Sequence, residues 1–223
     1  RLHVKDSPVH SEIETAHQGT PLATLFRRQG RQVLLAAGVA VCAPMLVFQA
    51  GTFFTQYAAD HLDFSFDLVL MVGVVGGLCA VGFAALSAIL SDTYGRRRIV
   101  ACGSALTAPW SFMVFPLIEM DDKVVFGAAI VATYCLVGWC MGPLAALLPE
   151  IFAPEYRYTG AALSHTFGAI VGGALPPVLS PLLLTTLGGW PVAVMMGGLA
   201  LISLVGVALL PETSGRPLGV TPR

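Results

Sequence analysis

The chain has 223 residues, of which 56% are hydrophobic and only 11% charged, against about 45–50% and about 25% in an ordinary soluble domain. Its net charge of −1 gives no overall pull toward nucleic acid or any other polyanion. Too few polar residues remain to coat a globule, so the expectation is a protein solvated by lipid.

The sequence opens at Arg1 without an initiator Met, and residues 1–32 are too polar for a signal peptide. The expectation is a chain truncated at its start whose first 32 residues, with Pro8, Gly19 and Pro21, form a loop. The end of that stretch, Leu22-Ala-Thr-Leu-Phe-Arg-Arg, reads either as a short interfacial helix or as a solvated linker with basic anchors.

Crossing a hydrocarbon core of about 30 Å takes about 20 apolar residues at 1.5 Å each. Six runs of that size are free of Asp, Glu, Lys and Arg: 33–57, 68–90, 99–118, 124–148, 160–187 and 190–210. None shows the polar and apolar alternation of a barrel strand. The fold class is therefore an all-α membrane protein with six transmembrane helices over 33–210, followed by a tail over 211–223.

In the first run Gln49, Thr52 and Gln56 stand three and four residues apart, on one face of a helix. With Thr55 they either face a solute pathway or hydrogen-bond a neighbouring helix. Pro44 is placed to kink this run, as Pro109 and Pro143 are to kink the third and fourth.

Between the second and third runs lies Leu90-Ser-Asp-Thr-Tyr-Gly-Arg-Arg-Arg98, too short to do more than reverse the chain. Gly95 permits the tight turn, and Asp92 is placed to sit near a helix N-terminus or pair with an arginine. In the fourth run Tyr134 and Trp139 fill space between helices or face the pathway. After it comes Pro149-Glu-Ile-Phe-Ala-Pro-Glu-Tyr-Arg-Tyr-Thr-Gly160.

The fifth run carries His165, the one histidine inside a run; imidazole titrates near physiological pH, which suits a proton relay, and an ordinary hydrogen-bonded role is the alternative. Gly172-Gly173 followed by Pro176-Pro177 and Pro181 should bend or break this helix. Gly73 and Gly77, Gly138 and Gly142, and Gly168 and Gly172 have the spacing that lets helices approach closely.

Every Lys and Arg except Lys123 falls on one side of the six runs, and Lys123 shares the other with Asp60, Asp63, Asp67, Glu119, Asp121 and Asp122. By the positive-inside rule both termini are expected to be cytoplasmic. The five cysteines, Cys42, Cys79, Cys102, Cys135 and Cys140, lie inside apolar runs without metal-ligand spacing and read as small free hydrophobes. No metal, cofactor or enzymatic constellation is expected.

The turn Ser91-Asp92 … Gly95-Arg96-Arg97 resembles the D-R-x-G-R-R turn of the major facilitator superfamily, with Thr93 where the family usually has Arg. The stretch Pro149-Glu150-Ile151-Phe152 … Arg157-Tyr158-Thr159-Gly160 is similar to the family's tenth-to-eleventh connection, its ending resembling the metabolite-proton symporter branch, and Pro211-Glu212-Thr213 also fits. Three motifs in order, over nearly the whole chain, imply the C-terminal half of a twelve-helix transporter whose two halves rock about a central site. They imply two inverted three-helix repeats, spans one to three and four to six. They also imply a latch of Asp92, Gly95, Arg96 and Arg97, with Glu150 and Arg157 as a companion pair.

The expected function is secondary transport of a small polar or anionic metabolite, coupled to protons, across the plasma or inner membrane. The expected partners are the lipid bilayer, a missing N-terminal six-helix half and the solute. A sugar porter or drug exporter of the same superfamily, and a truncated half without transport, are the alternatives.

Overall fold

The computed structural model describes residues 21–210. Residues 1–20 of the loop expected over 1–32 and the tail with Pro211-Glu212-Thr213 lie outside the described residues, as do Arg1, Lys5, Arg216 and Arg223, while residues 21–32 of that expected loop are helical. Six helices are long and apolar enough to cross a membrane: Leu22–His61, Phe66–Tyr94, Arg96–Ile118, Lys123–Glu150, Arg157–Leu187 and Trp190–Leu209. Among the described residues there is no strand.

The first span begins well before the apolar run that announces it. A helix occupies Pro21–Val39, and at Gln29 it breaks, with φ −132° and ψ 23°. Ahead of the break Arg27 and Arg28 are exposed while Leu25 is fully buried among Val33, Tyr156 and Phe152 at the basic end of the bundle. One buried leucine opposite two arginines makes residues 21–28 a short amphipathic helix, which docks on the bundle. The span continues as Cys42–Phe48, a π-helical turn at Gln49–Phe53 and Phe54–His61.

Helix boundaries elsewhere obey local chemistry. The Asp122 carboxylate accepts from the backbone N–H groups of Val124 at 2.7 Å and Val125 at 3.0 Å, which starts the fourth span. The second span ends and the third begins at Gly95, whose φ of 96° is open to glycine and strained for any other residue. The fifth span contains a π-helical turn at Ile170–Ala174 directly before Pro176 and Pro177. Those prolines have no N–H for the carbonyls one turn back, and the widened turn is how the helix bends there without stopping.

The packing has internal symmetry. Second packs on fourth and fifth on first; third packs on fourth and sixth on first; third and sixth pack on each other. Exchanging each span with the one three places along leaves this pattern unchanged. Since neighbouring spans alternate in direction, spans three apart run oppositely, so the two repeats are inverted, as expected.

Two of the three glycine pairs hold these contacts. A Cβ on Gly138 or Gly142 would overlap the backbone of Ala80 or Ala84 in the second span. One on Gly168 or Gly172 would overlap Ala40 or the Val41 carbonyl in the first. The third pair does not: nothing lies within 4 Å of a Cβ built on Gly73 or Gly77. In the second span it is Gly76 that makes a close contact, forming the notch that receives the Tyr134 ring.

Several buried polar groups are paired across helices, as an apolar solvent favours. Ser104 and Ser203 share a hydrogen bond of 3.0 Å, and Ser203 also donates to the Val39 carbonyl at 2.9 Å. The Trp139 indole donates to the Ile99 carbonyl at 3.1 Å and that of Trp110 to Thr133 at 3.0 Å. All five cysteines are free.

Candidate functional site

One cluster of the sequence-predicted residues forms in the structure, at the basic end, while those at mid-membrane are divided between two environments. At the basic end, Gly95 turns the chain so abruptly that the third span starts with Arg96 at its first residue. The Arg96 guanidinium stands 3.5 Å from the Asp92 carboxylate, four residues back, and closes on the Glu150 carboxylate at the end of the fourth span. The side chains of Arg96 and Glu150 are 22% and 19% exposed, whereas that of Asp92 is 72% exposed. A sheltered ion pair is held harder than one in water, so the dominant link is Arg96 to Glu150.

Arg97 points elsewhere. Its guanidinium donates to the Ala208 carbonyl at 2.5 Å, in the last turn of the sixth span. The final carbonyls of a helix have no internal partner and carry partial negative charge, so an arginine there satisfies both. Arg157 does the same for the fourth span, donating from Nε to the Pro149 carbonyl at 3.1 Å. Two short connections thus tie the second, third, fourth, fifth and sixth spans together at one end.

At mid-membrane the expected single face of Gln49, Thr52 and Gln56 does not form. Gln49 is fully buried and exchanges hydrogen bonds with Ser180 of the fifth span, at 3.0 and 3.2 Å. Thr52 and Gln56 are exposed on the outside of this six-helix unit. The π-helical turn at Gln49–Phe53 explains the separation: one extra residue rotates the helix beyond the turn by about 100° relative to the helix before it. Thr55 is bonded back to the carbonyls of Gly51 and Thr52 at 3.0 and 2.9 Å.

Tyr134 is half-buried, its ring in the Gly76 notch and its hydroxyl next to Gly51, so it stands beside the exposed face of the first span. His165 is exposed on the fifth span, toward the basic end. Sequence patterning alone does not single out Ser180, Asp60, His61 or Thr185 for the site. Asp60 extends the line of Thr52 and Gln56 by one more step of four residues, and with Gln56, His61 and Thr185 it edges a cleft of about 80 Å³ between the first and fifth spans. The step of four was readable; the position of Thr185 across the cleft required the fold.

Among the described residues no group of three or more metal-ligating side chains is present.

The sequence model of the sugar (and other) transporter family matches residues 5–222. The chain is 28% identical to the inner membrane metabolite transport protein YhjE of Escherichia coli (strain K12), over 98% of this chain and 51% of that protein. It is 26% identical to the shikimate transporter of the same organism, over 86% of this chain and 44% of that protein. With the proline/betaine transporter of that organism it shares 24% identity, over 86% and 39%. The chain spans about half the length of the curated relatives it matches.

Proposed function

Because the chain belongs to the sugar (and other) transporter family, within the major facilitator superfamily, we propose that it is the six-helix C-terminal half of a secondary transporter for a small polar or anionic metabolite. The basic end, with Arg96, Arg97, Arg98 and Arg157, faces the cytoplasm of a plasma or inner membrane, and a second six-helix unit completes the pathway.

The observation that carries this reading is the bridge from Arg96 to Glu150 with its neighbour from Arg97 to the Ala208 carbonyl. Alternating access requires one end of a bundle to move as a unit while the other opens. These ties bind the spans at the basic end. Thr52, Gln56, Tyr134 and His165 are polar groups on the outer surface of this half. They are costly against lipid and suited to a water-filled path between two halves.

Proton coupling is the finer part of the proposal. No Asp or Glu lies inside the apolar run of any span, so His165 is the proton-carrying candidate in this half, and the completing unit supplies the others. Uptake of radiolabelled shikimate, betaine and glucose, by cells expressing the chain joined to its completing half, tests both parts. Accumulation of the acid or betaine that collapses on adding an uncoupler is the expected result; uptake of glucose alone, or none, rejects it.

A further inference from the structure

A groove of about 500 Å³ lies where the second, third and fourth spans meet, lined by Phe83 of the second, Cys102, Leu106 and Trp110 of the third, and Cys135 and Trp139 of the fourth. Its wall is apolar because both tryptophans turn their N–H groups into the protein, Trp110 to Thr133 and Trp139 to the Ile99 carbonyl. Cys102, Leu106 and Trp110 stand at steps of four along the third span, and one step of four before Cys102 the same row begins with Arg98, which is exposed. Asp92 and Glu150 engage Arg96, and the Ala208 carbonyl engages Arg97. Arg98 has no hydrogen bond or ion pair among the described residues.

We propose that this groove binds one anionic phospholipid from the leaflet at the basic end, its phosphate on Arg98 and one acyl chain along the row to Trp110. The length fits. Twelve residues from Arg98 to Trp110 rise about 18 Å, and one leaflet with its headgroup is about 20 Å thick. The charge fits as well, since an arginine near a helix end carries its guanidinium on a long stem to the level of the headgroups. An acyl chain gains no hydrophobic energy by leaving lipid for an apolar wall, so the groove contributes shape and van der Waals contact, and Arg98 contributes the selectivity. A zwitterionic headgroup would bring its own ammonium to a turn that already carries Arg96, Arg97 and Arg98; phosphatidylglycerol brings a phosphate without one. This inference goes beyond the transport reading, because it needs only that the three spans cross a bilayer.

The test uses the chain with Trp190→Phe, which leaves Trp110 and Trp139 as its tryptophans. It is reconstituted in vesicles of phosphatidylcholine and phosphatidylglycerol in which one lipid at a time carries bromine on its acyl chains, a contact quencher of tryptophan fluorescence. Brominated phosphatidylglycerol is expected to quench at a mole fraction about fivefold lower than brominated phosphatidylcholine, the worth of one arginine at an anionic headgroup. Arg98→Gln is expected to abolish that preference while brominated phosphatidylcholine still quenches, which shows the groove intact, and Arg98→Lys to keep most of it. Equal quenching by the two lipids overturns the proposal, as does a preference that survives Arg98→Gln. Arg28 is an exposed arginine of the first span at the same end; if Arg28→Gln abolishes the preference as fully as Arg98→Gln, the overall surface charge is its source and the site falls. Displacement of the lipid by free glycerol phosphate would make the headgroup alone sufficient and would also overturn it. So would loss of quenching when the chain is joined to its completing half, since that half would then be what covers the groove.

Discussion

The Arg96 guanidinium closes on the Glu150 carboxylate across two spans while standing 3.5 Å from Asp92 within its own turn. Both carboxylates compete for one cation, and the better sheltered one has the advantage. The sequence motif points to Asp92 as the anchor of the latch; the burial of the partners shifts the weight to Glu150.

Neutralising each carboxylate separates the two roles. Glu150→Gln leaves Arg96 sheltered without its main counter-charge, at a cost of about 1–3 kcal/mol. Asp92→Asn removes an exposed ion pair worth about 0–1 kcal/mol. In the two-half transporter, the expected outcome is an uptake rate lowered far more by Glu150→Gln than by Asp92→Asn, with both proteins reaching the membrane. Equal rates would place the latch elsewhere.

Gly95 gives a prediction about folding and not rate. At φ 96° and ψ 135° a side chain clashes with its own backbone, and such conformations cost about 1–3 kcal/mol outside glycine. Gly95→Ala is expected to lower the thermal midpoint of the detergent-solubilised chain, while Gly30→Ala, where nothing lies within 4 Å of the added methyl, leaves it unchanged or raised. Size-exclusion chromatography after heating reads both.

The spans were legible in the sequence because the bilayer sets a length that few soluble helices meet. The turn at Gly95 was legible because a helix that ends one residue before the next begins leaves room for glycine only. The face carrying Gln49 was not: a spacing of three and four assumes an uninterrupted α-helix, and nothing in Gln49-Ala-Gly-Thr-Phe53 announces a π-helical turn. In the fifth span the matching turn sits before Pro176 and Pro177, and there the bend could be foreseen. Glycine spacing alone also failed to say which pairs touch, since the second span is apolar on all sides and shows no buried face to the eye.

The exchange of hydrogen bonds between Gln49 and Ser180 joins the first and fifth spans close to both π-helical turns. Interhelical hydrogen bonds of this kind in membranes couple by about 0.6 kcal/mol, with a maximum near 1.7. The single hydroxyl proton of Ser180 is shared between Gln49 Oε1 and the Pro176 carbonyl, the latter at 2.7 Å, so Ser180→Ala removes the link to Gln49 and the bond within its own helix, and Gln49→Leu only the link. A double-mutant cycle on unfolding in detergent is expected to give a coupling of about that size. A coupling of zero would mean that Gln49 finds another partner, and its role in holding the two bent helices together would be withdrawn.

Glycines with one spacing and different surroundings give the sharpest test of the packing. At Gly138 and Gly142 a methyl group would meet backbone of the second span, which cannot move aside as a side chain does; at Gly73 and Gly77 it meets nothing within this unit. Overpacking a tight contact costs about 1–3 kcal/mol, and replacing glycine by alanine in a helix returns about 1 kcal/mol of propensity. Gly138→Ala and Gly142→Ala are therefore expected to lower the thermal midpoint of the isolated chain, and Gly73→Ala and Gly77→Ala to raise it slightly. The second pair is half-buried, with open space beside it. If it packs against the completing half, Gly77→Ala will spare the isolated chain yet weaken co-purification of the two halves, and that split distinguishes a contact between halves from a position facing lipid.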